Sequence, residues 1–230
     1  MSKSQKRQKR VLPDKIIPIK NDDKEFHESW TPNRNMLNIC HPFRAVILGT
    51  PNCGKSTTAK NLIIRQDPPF EEVFIIHCDY ENTKEYDDIG AQMLGEIPAP
   101  EEWEGQKKTL VILDDLEYKQ MSKIQKKNLD RLFGYVSTHK NISVILCAQD
   151  PFNVPPCVRR MSNLWILWKI NDTDSLNTCA RKAGLKKNEM NDIFSMFTDP
   201  RDSLWIDMTS QSPWPMRKNG FIPIIKEDDK

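Results

Sequence analysis

The sequence predicts an α/β fold, a mainly parallel sheet flanked by helices, and three observations carry that expectation. Apolar residues come in compact runs, such as Ala45-Val-Ile-Leu48 and Glu72-Val-Phe-Ile-Ile-His77, short enough for buried strands. Helix-compatible segments fall between those runs. A glycine-bounded loop joins the first run to the first such segment. At 230 residues the chain is long enough for one such domain with a real core and too short for two sizeable ones.

Taken in order, residues 1–35 read as a basic, flexible tail, because they offer too little apolar surface to offset the entropy of ordering. Within it, Lys6-Arg7-Gln8-Lys9-Arg10 suits a nuclear localisation signal, a phosphate-binding arm or a plain solvated tail, and Ile16-Ile17-Pro18-Ile19 could pack on the body or on a neighbour. A single domain follows over 36–226, and 227–230 form a charged end. The first strand covers 44–49 and the first helix 55–66, stopped by Asp67-Pro-Pro69, since proline disfavours helical geometry in the residue before it. Glu72–His77 is a second strand, Thr83–Leu94 is helix-compatible, and 97–105 form a proline-broken loop. Thr109–Asp115 is a third strand ending in two carboxylates. The strongest helical pattern spans 119–138, with Ile124, Leu129, Leu132, Phe133 and Val136 on one face. Asn141–Ala148 is a fourth strand and Asn163–Trp168 a fifth, after a turn carrying Arg159 and Arg160. Asp172–Gly184 and Lys187–Phe197 read as short helices, the former capped by Asp172 or Thr173. Ser203–Asp207 and Phe221–Ile225 read as added strands joined through the turn Lys218-Asn219-Gly220.

Charge is unevenly spread. Residues 1–20 carry a local +6 against a whole-chain +2, so the remainder is net acidic and the domain is not globally basic. The six cysteines show no C-x-x-C pair and no zinc-finger spacing, which reads as reduced thiols. No apolar run reaches the length of a membrane span and the N-terminus is polar, so the expectation is a soluble, intracellular protein in cytoplasm or nucleus.

The loop Gly49-Thr50-Pro51-Asn52-Cys53-Gly54-Lys55-Ser56-Thr57 matches Gly-x-x-x-x-Gly-Lys-[Ser/Thr] in a strand-loop-helix setting. A triphosphate needs many donors and little bulk. Gly49 and Gly54 let the backbone curl so that successive N–H groups point inward, beside the positive end of a helix. Lys55 would reach the β- and γ-phosphates and Ser56 would place its hydroxyl on Mg²⁺, so ATP and Mg²⁺ are the expected cofactors. Asp114, closing an apolar strand, would hold Mg²⁺, and Asp115 would activate water, with Glu117 the alternative acid; capping of the next turn is the other role open to the pair. Gln149 ends the fourth strand, where open α/β sheets place ligand contacts.

The order HPFRAVILGTPNCGKST, EVFIIHCDYENTKEYDDI, TLVILDDLE, NISVILCAQD and VRRMSN, over about residues 40–170, resembles the viral genome-packaging ATPases of the FtsK/HerA clade. That is the poxvirus-type group found also in virophages and Polinton-like or adinto-like viruses. The resemblance implies an ASCE/RecA-like sheet with an extra strand between the loop strand and the Asp114 strand. It also implies an oligomeric ring and ATP-driven translocation of double-stranded DNA into a capsid, through a capsid or portal-like partner, with possible presence in the virion. By the same resemblance Arg159 or Arg160 would be an arginine finger, although either suits a surface ion pair. Lys119, Lys123, Lys127 and Arg131 recur every four residues and offer phosphate-backbone contacts without sequence readout, or simply a solvated helix face. Two departures stand out: Cys53 occupies a place where Ser or Gly is usual, and Asp115 stands where Glu is widespread. At a helix N-terminus Cys53 is expected to have a depressed thiol pKa and to react readily. Two rival functions fit the same loop: a P-loop nucleotide or polynucleotide kinase, with Arg159-Arg160 or Arg181-Lys182 as lid residues, and a nucleotide-dependent DNA-binding or assembly protein.

Overall fold

In the computed structural model the described residues are Leu37, 39–209 and 215–225. The expected tail over 1–35, with its basic cluster and its Ile-Pro-Ile segment, and the charged end at 227–230 lie outside them. The strands are β1 (Arg44–Leu48), β2 (Glu72–His77), β3 (Gln92–Leu94), β4 (Thr109–Asp114), β5 (Ile142–Ala148), β6 (Leu164–Leu167), β7 (Leu204–Asp207), β8 (Met216–Lys218) and β9 (Ile222–Pro223). Among the described residues they form a nine-stranded sheet in the order β3-β2-β4-β5-β1-β6-β7-β8-β9. The pairs from β3 through β6 are parallel, and β7, β8 and β9 add on antiparallel. β5 lies between the loop strand β1 and the Asp114 strand β4, as the resemblance implies.

The helices are α1 (Lys55–Ile64), α2, α3 (Pro156–Met161), α4 (Thr173–Lys182) and α5 (Lys187–Ser195). α2 opens as Lys123–Arg131, widens into a π turn at Leu132–Val136 and ends as Ser137–His139. Alternation along the central strands explains why their sequences are apolar throughout. Val46, Leu48, Val111, Leu113, Val144 and Leu146 face a core shared with α2, α4 and α5. Ala45, Ile47, Leu110, Ile112, Ile145 and Cys147 face a second core closed by Ala59 and Leu62 of α1. Asp172 caps α4 by accepting from Ser175 N at 2.7 Å, as the sequence suggests.

Four expectations need correction. Thr83–Leu94 is not a helix: it holds a 3₁₀ turn at Asp87–Ile89, a left-handed Gly90 and the short strand β3. The charged helix begins at Lys123, because Ser122 caps it by accepting from Gln125 N at 3.1 Å; Lys119 therefore sits in the preceding turn. Ile124 is 71% exposed and does not share the buried face of Leu129, Leu132, Phe133 and Val136. The turn Lys218-Asn219-Gly220 joins β8 to β9, and β7 pairs with β8, a strand whose three residues are too few to register as a pattern.

The entry into β1 is held by a buried histidine. Nε2 of His41 donates to Asn141 Oδ1 at 2.8 Å, and its Nδ1 takes the Ser143 hydroxyl at 2.7 Å, while Phe43 N donates to the same hydroxyl at 3.0 Å. Burial, reinforced by the nearby Lys108 charge, lowers the His41 pKa to about 4. The folded state thus binds fewer protons than the unfolded chain between about pH 4 and 6.5. The stabilisation is complete above the unfolded value and is lost as pH falls towards the folded one, by up to about 3 kcal/mol. Urea unfolding of His41→Gln should show a flatter loss of stability between pH 7 and 4.5 than the wild type; equal slopes would contradict this role.

Candidate functional site

The site lies at the carboxyl edge of β1, β4 and β5. Parallel register sets Leu48 beside Ala148 and Leu113 beside Leu146, so the residues that leave these strands, Gly49, Asp115 and Gln149, emerge along one edge. At Gly49 the backbone runs so close to the Trp168 ring that an added Cβ would lie 3.0 Å from Cε3 and would also collide with Cys53 Sγ. Gly54 has φ 112, which glycine alone adopts without strain, and it starts α1 with no side-chain cap. The first amides of α1 are thus left for an anion. Lys55 Nζ folds over this loop, donating to the carbonyls of Gly49 at 3.0 Å and Thr50 at 3.1 Å. Thr50, Pro51, Asn52 and Thr57 are exposed, with Asn52 at positive φ, so the loop's outer rim faces solvent.

Asp114 is buried at the end of β4 and its carboxylate is fully engaged. Oδ2 accepts the Tyr86 hydroxyl at 2.5 Å and Oδ1 accepts Asp115 N at 3.1 Å. The Cys147 thiol lies next to it on β5, and burial first, then the Asp114 charge, pushes that thiol far up. Burial first, then the Cys147 and Asp114 charges, raises the Tyr86 pKa, and Ser56, close to the same hydroxyl, lowers it. Asp115, by contrast, is exposed and held at φ 51, which turns its side chain off the strand line. Its carboxylate meets His77 and Cys78 at the end of β2, with ligand atoms of all three within 4.8 Å of one another.

Lys55, Asp114, Asp115 and Gln149 line a single cleft of about 550 Å³, together with Glu117, Lys119 and Arg159. The cleft continues over Leu116, Tyr118, Met121, Phe152 and Val154. The two arginines part company on α3: Arg159 lines this cleft, and Arg160 is exposed to solvent outside its lining. Lys123, Lys127 and Arg131 are exposed on α2, away from the cleft, with Arg131 3.8 Å from Glu101. Sequence reasoning missed Tyr86, Cys147 and Trp168. Tyr86 lies in a run of polar and acidic residues with no periodicity, so no local signal marks its burial.

Cys53 overturns its expectation. Its thiol is half-buried against Gly49, and desolvation raises its pKa more than Lys55 and the neighbouring backbone amides lower it. All six cysteines are free thiols, and Cys78 is exposed.

No family model and no curated protein sequence matches the chain. Its fold is found in the genome-packaging protein B204. The DNA-packaging ATPase B204 from Sulfolobus turreted icosahedral virus superposes with a TM-score of 0.59 at 15% identity, over 80% of this chain and 99% of that one. The genome packaging NTPase B204 from Sulfolobus turreted icosahedral virus 2 gives 0.57 at 16% identity in complex with AMPPCP, over 79% and 98%. In complex with ATP-γ-S it gives 0.55 at 15% identity, over 80% and 98%. At these identities the likeness is one of fold.

Thiol labelling with mass mapping at neutral pH should modify Cys78 well before Cys53. Labelling of Cys53 at a rate equal to or above that of Cys78 would contradict a half-buried thiol whose pKa burial raises.

Proposed function

We propose that this chain is an ATP-hydrolysing motor of the FtsK/HerA clade that drives double-stranded viral DNA into a capsid. The observation that carries the reading is the cleft itself, where three adjacent parallel strands deliver a phosphate-binding loop, an Asp-Asp pair and a glutamine to one place. B204, which has this fold, is a packaging NTPase solved with ATP analogues, and that supports ATP as the ligand and DNA as the cargo.

In this account the loop amides and Lys55 hold the phosphates, Lys55 exchanging its two carbonyl contacts for phosphate oxygens. Ser56 and Asp114 suit Mg²⁺: both present hard oxygen donors, Ser56 in the first turn of α1 and Asp114 at the carboxyl end of β4. When bound, the ion offsets phosphate charge. Asp115, exposed in the cleft, accepts a proton from water, and Gln149 orients that water. Arg159 is suited to act on its own chain's nucleotide, and the exposed Arg160 to reach a neighbour's in a homo-oligomeric ring. Lys123 and Lys127 offer phosphate contacts that read no sequence, as a motor requires. Among the described residues no helix is long and apolar enough to cross a membrane.

Phosphate release is expected from ATP alone, without an acceptor, which separates a motor from a kinase. Lys55→Ala should lower it about 10²-fold or more. Asp115→Asn should lower it by roughly 10²- to 10⁴-fold while keeping affinity for an ATP analogue; near-normal turnover in either variant would contradict the role of the residue replaced. Replacing both Lys123 and Lys127 with Ala should weaken double-stranded DNA binding equally across sequences and reduce its salt slope by about 2. An unchanged slope would exclude that face as the grip.

A further inference from the structure

Within 78–90 the chain is exposed or half-exposed everywhere except at one residue, Tyr86, which is 2% exposed. Its ring enters the core between the sheet and α1, packed with Ile47, Ala59, Ile75 and Ile112. Its hydroxyl donates to Asp114 Oδ2 at 2.5 Å, and Ser56 lies close to it. Outside the core, the segment is tied to α1 by Lys60, whose Nζ is 2.7 Å from Asp88 and 5.8 Å from the Tyr86 ring centroid. These contacts are geometrically specific. A tyrosine that served only to fill the core would need one partner for its hydroxyl, and any backbone carbonyl would do. Here the partner is the Asp114 carboxylate, a side chain that suits a cation, with Ser56, the other, nearby.

We propose that Tyr86 is a positioning residue whose hydroxyl holds the Asp114 carboxylate and competes with the metal–nucleotide complex for it. The proposal rests on the ATP-binding reading of the cleft. A carboxylate oxygen that accepts a short bond from a hydroxyl has less of its charge to give to a cation. Engagement of Asp114 by Mg²⁺ therefore costs the protein that bond. Tyr86 is also the one deep anchor of its segment, and five carboxylates surround it in sequence, Asp79, Glu81, Glu85, Asp87 and Asp88, against Lys84 alone. Release of the hydroxyl loosens this acidic surface segment, so nucleotide state is transmitted from a buried hydrogen bond to the outside of the molecule. The segment runs from the end of β2 to the edge strand β3.

Tyr86→Phe removes the hydroxyl and keeps the ring. Affinity for a non-hydrolysable ATP analogue is measured by calorimetry in EDTA and in Mg²⁺, for wild type and variant. The EDTA affinity should be unchanged, which also reports that the variant is folded, and the gain in affinity on adding Mg²⁺ should be about tenfold larger in the variant, the order expected for one charge-assisted hydrogen bond. An equal or smaller gain in the variant overturns the proposal. In the wild type, backbone amides of 79–90 should exchange hydrogen faster with Mg²⁺ and analogue than without, and unchanged or slower exchange also overturns it. A wild type that binds no analogue in either condition refutes the ATP-binding reading itself, a failure distinct from analogue binding with an unaltered Mg²⁺ gain.

Discussion

The register of three parallel strands is the constraint on which the site depends. Pairing sets Val46, Leu146 and Leu113 side by side, so Ile47, Cys147 and Asp114 form the next level; Asp115 leaves β4 directly after it, and Gly49 and Gln149 leave β1 and β5 one residue later. A slip of one residue in β4 would exchange its faces, send Leu113 to the α1 side and leave the Asp114 carboxylate opposite the wrong core. Burial on both faces makes such a slip costly, because each of these strands fills two apolar cores at once. Position along the strand therefore follows from packing, and chemistry follows from position. The phosphate loop inherits the same rigidity, since it leaves β1 directly and lies against Trp168 from the next strand over.

At the point where these strands end, the apolar order gives way to a small polar network. Ser56, Tyr86, Asp114 and Cys147 come from α1, the β2–β3 connection, β4 and β5, and no two are close in sequence. Buried polar groups are tolerable only when paired. Asp114 meets that condition with a phenol and a backbone amide, donors that a cation can replace or rearrange. Its neighbour Asp115 is exposed and at positive φ, free to face the cleft. Two adjacent acids of identical chemistry are thus given different tasks by one residue's difference in burial and backbone angle.

Much of this was legible in the chain. The apolar runs marked β1, β2, β4, β5 and β6 within a residue or so, because strands buried on both faces need no alternation to be recognised. The loop and the Asp-Asp pair were legible because their spacing is fixed by phosphate and cation geometry. What escaped depends on partners distant in sequence. Tyr86 reads as one position of a helix-compatible segment until the sheet places Asp114 beside it, 28 residues on. Ile124 fits a helical apolar stripe, yet the helix starts only at Lys123 and Ile124 lies on its solvent side. Cys53 showed a helix N-terminus that would lower its pKa, and did not show the burial against Gly49 that raises it.

The central claim is that this cleft couples ATP hydrolysis to double-stranded DNA. Steady-state phosphate release from the full chain, measured against increasing double-stranded DNA with oligomer mass recorded in parallel, tests it most directly. The account predicts turnover that rises with DNA of any sequence and an assembly that forms or tightens with nucleotide. Turnover indifferent to DNA, from a protein that remains a monomer with nucleotide bound, would contradict it.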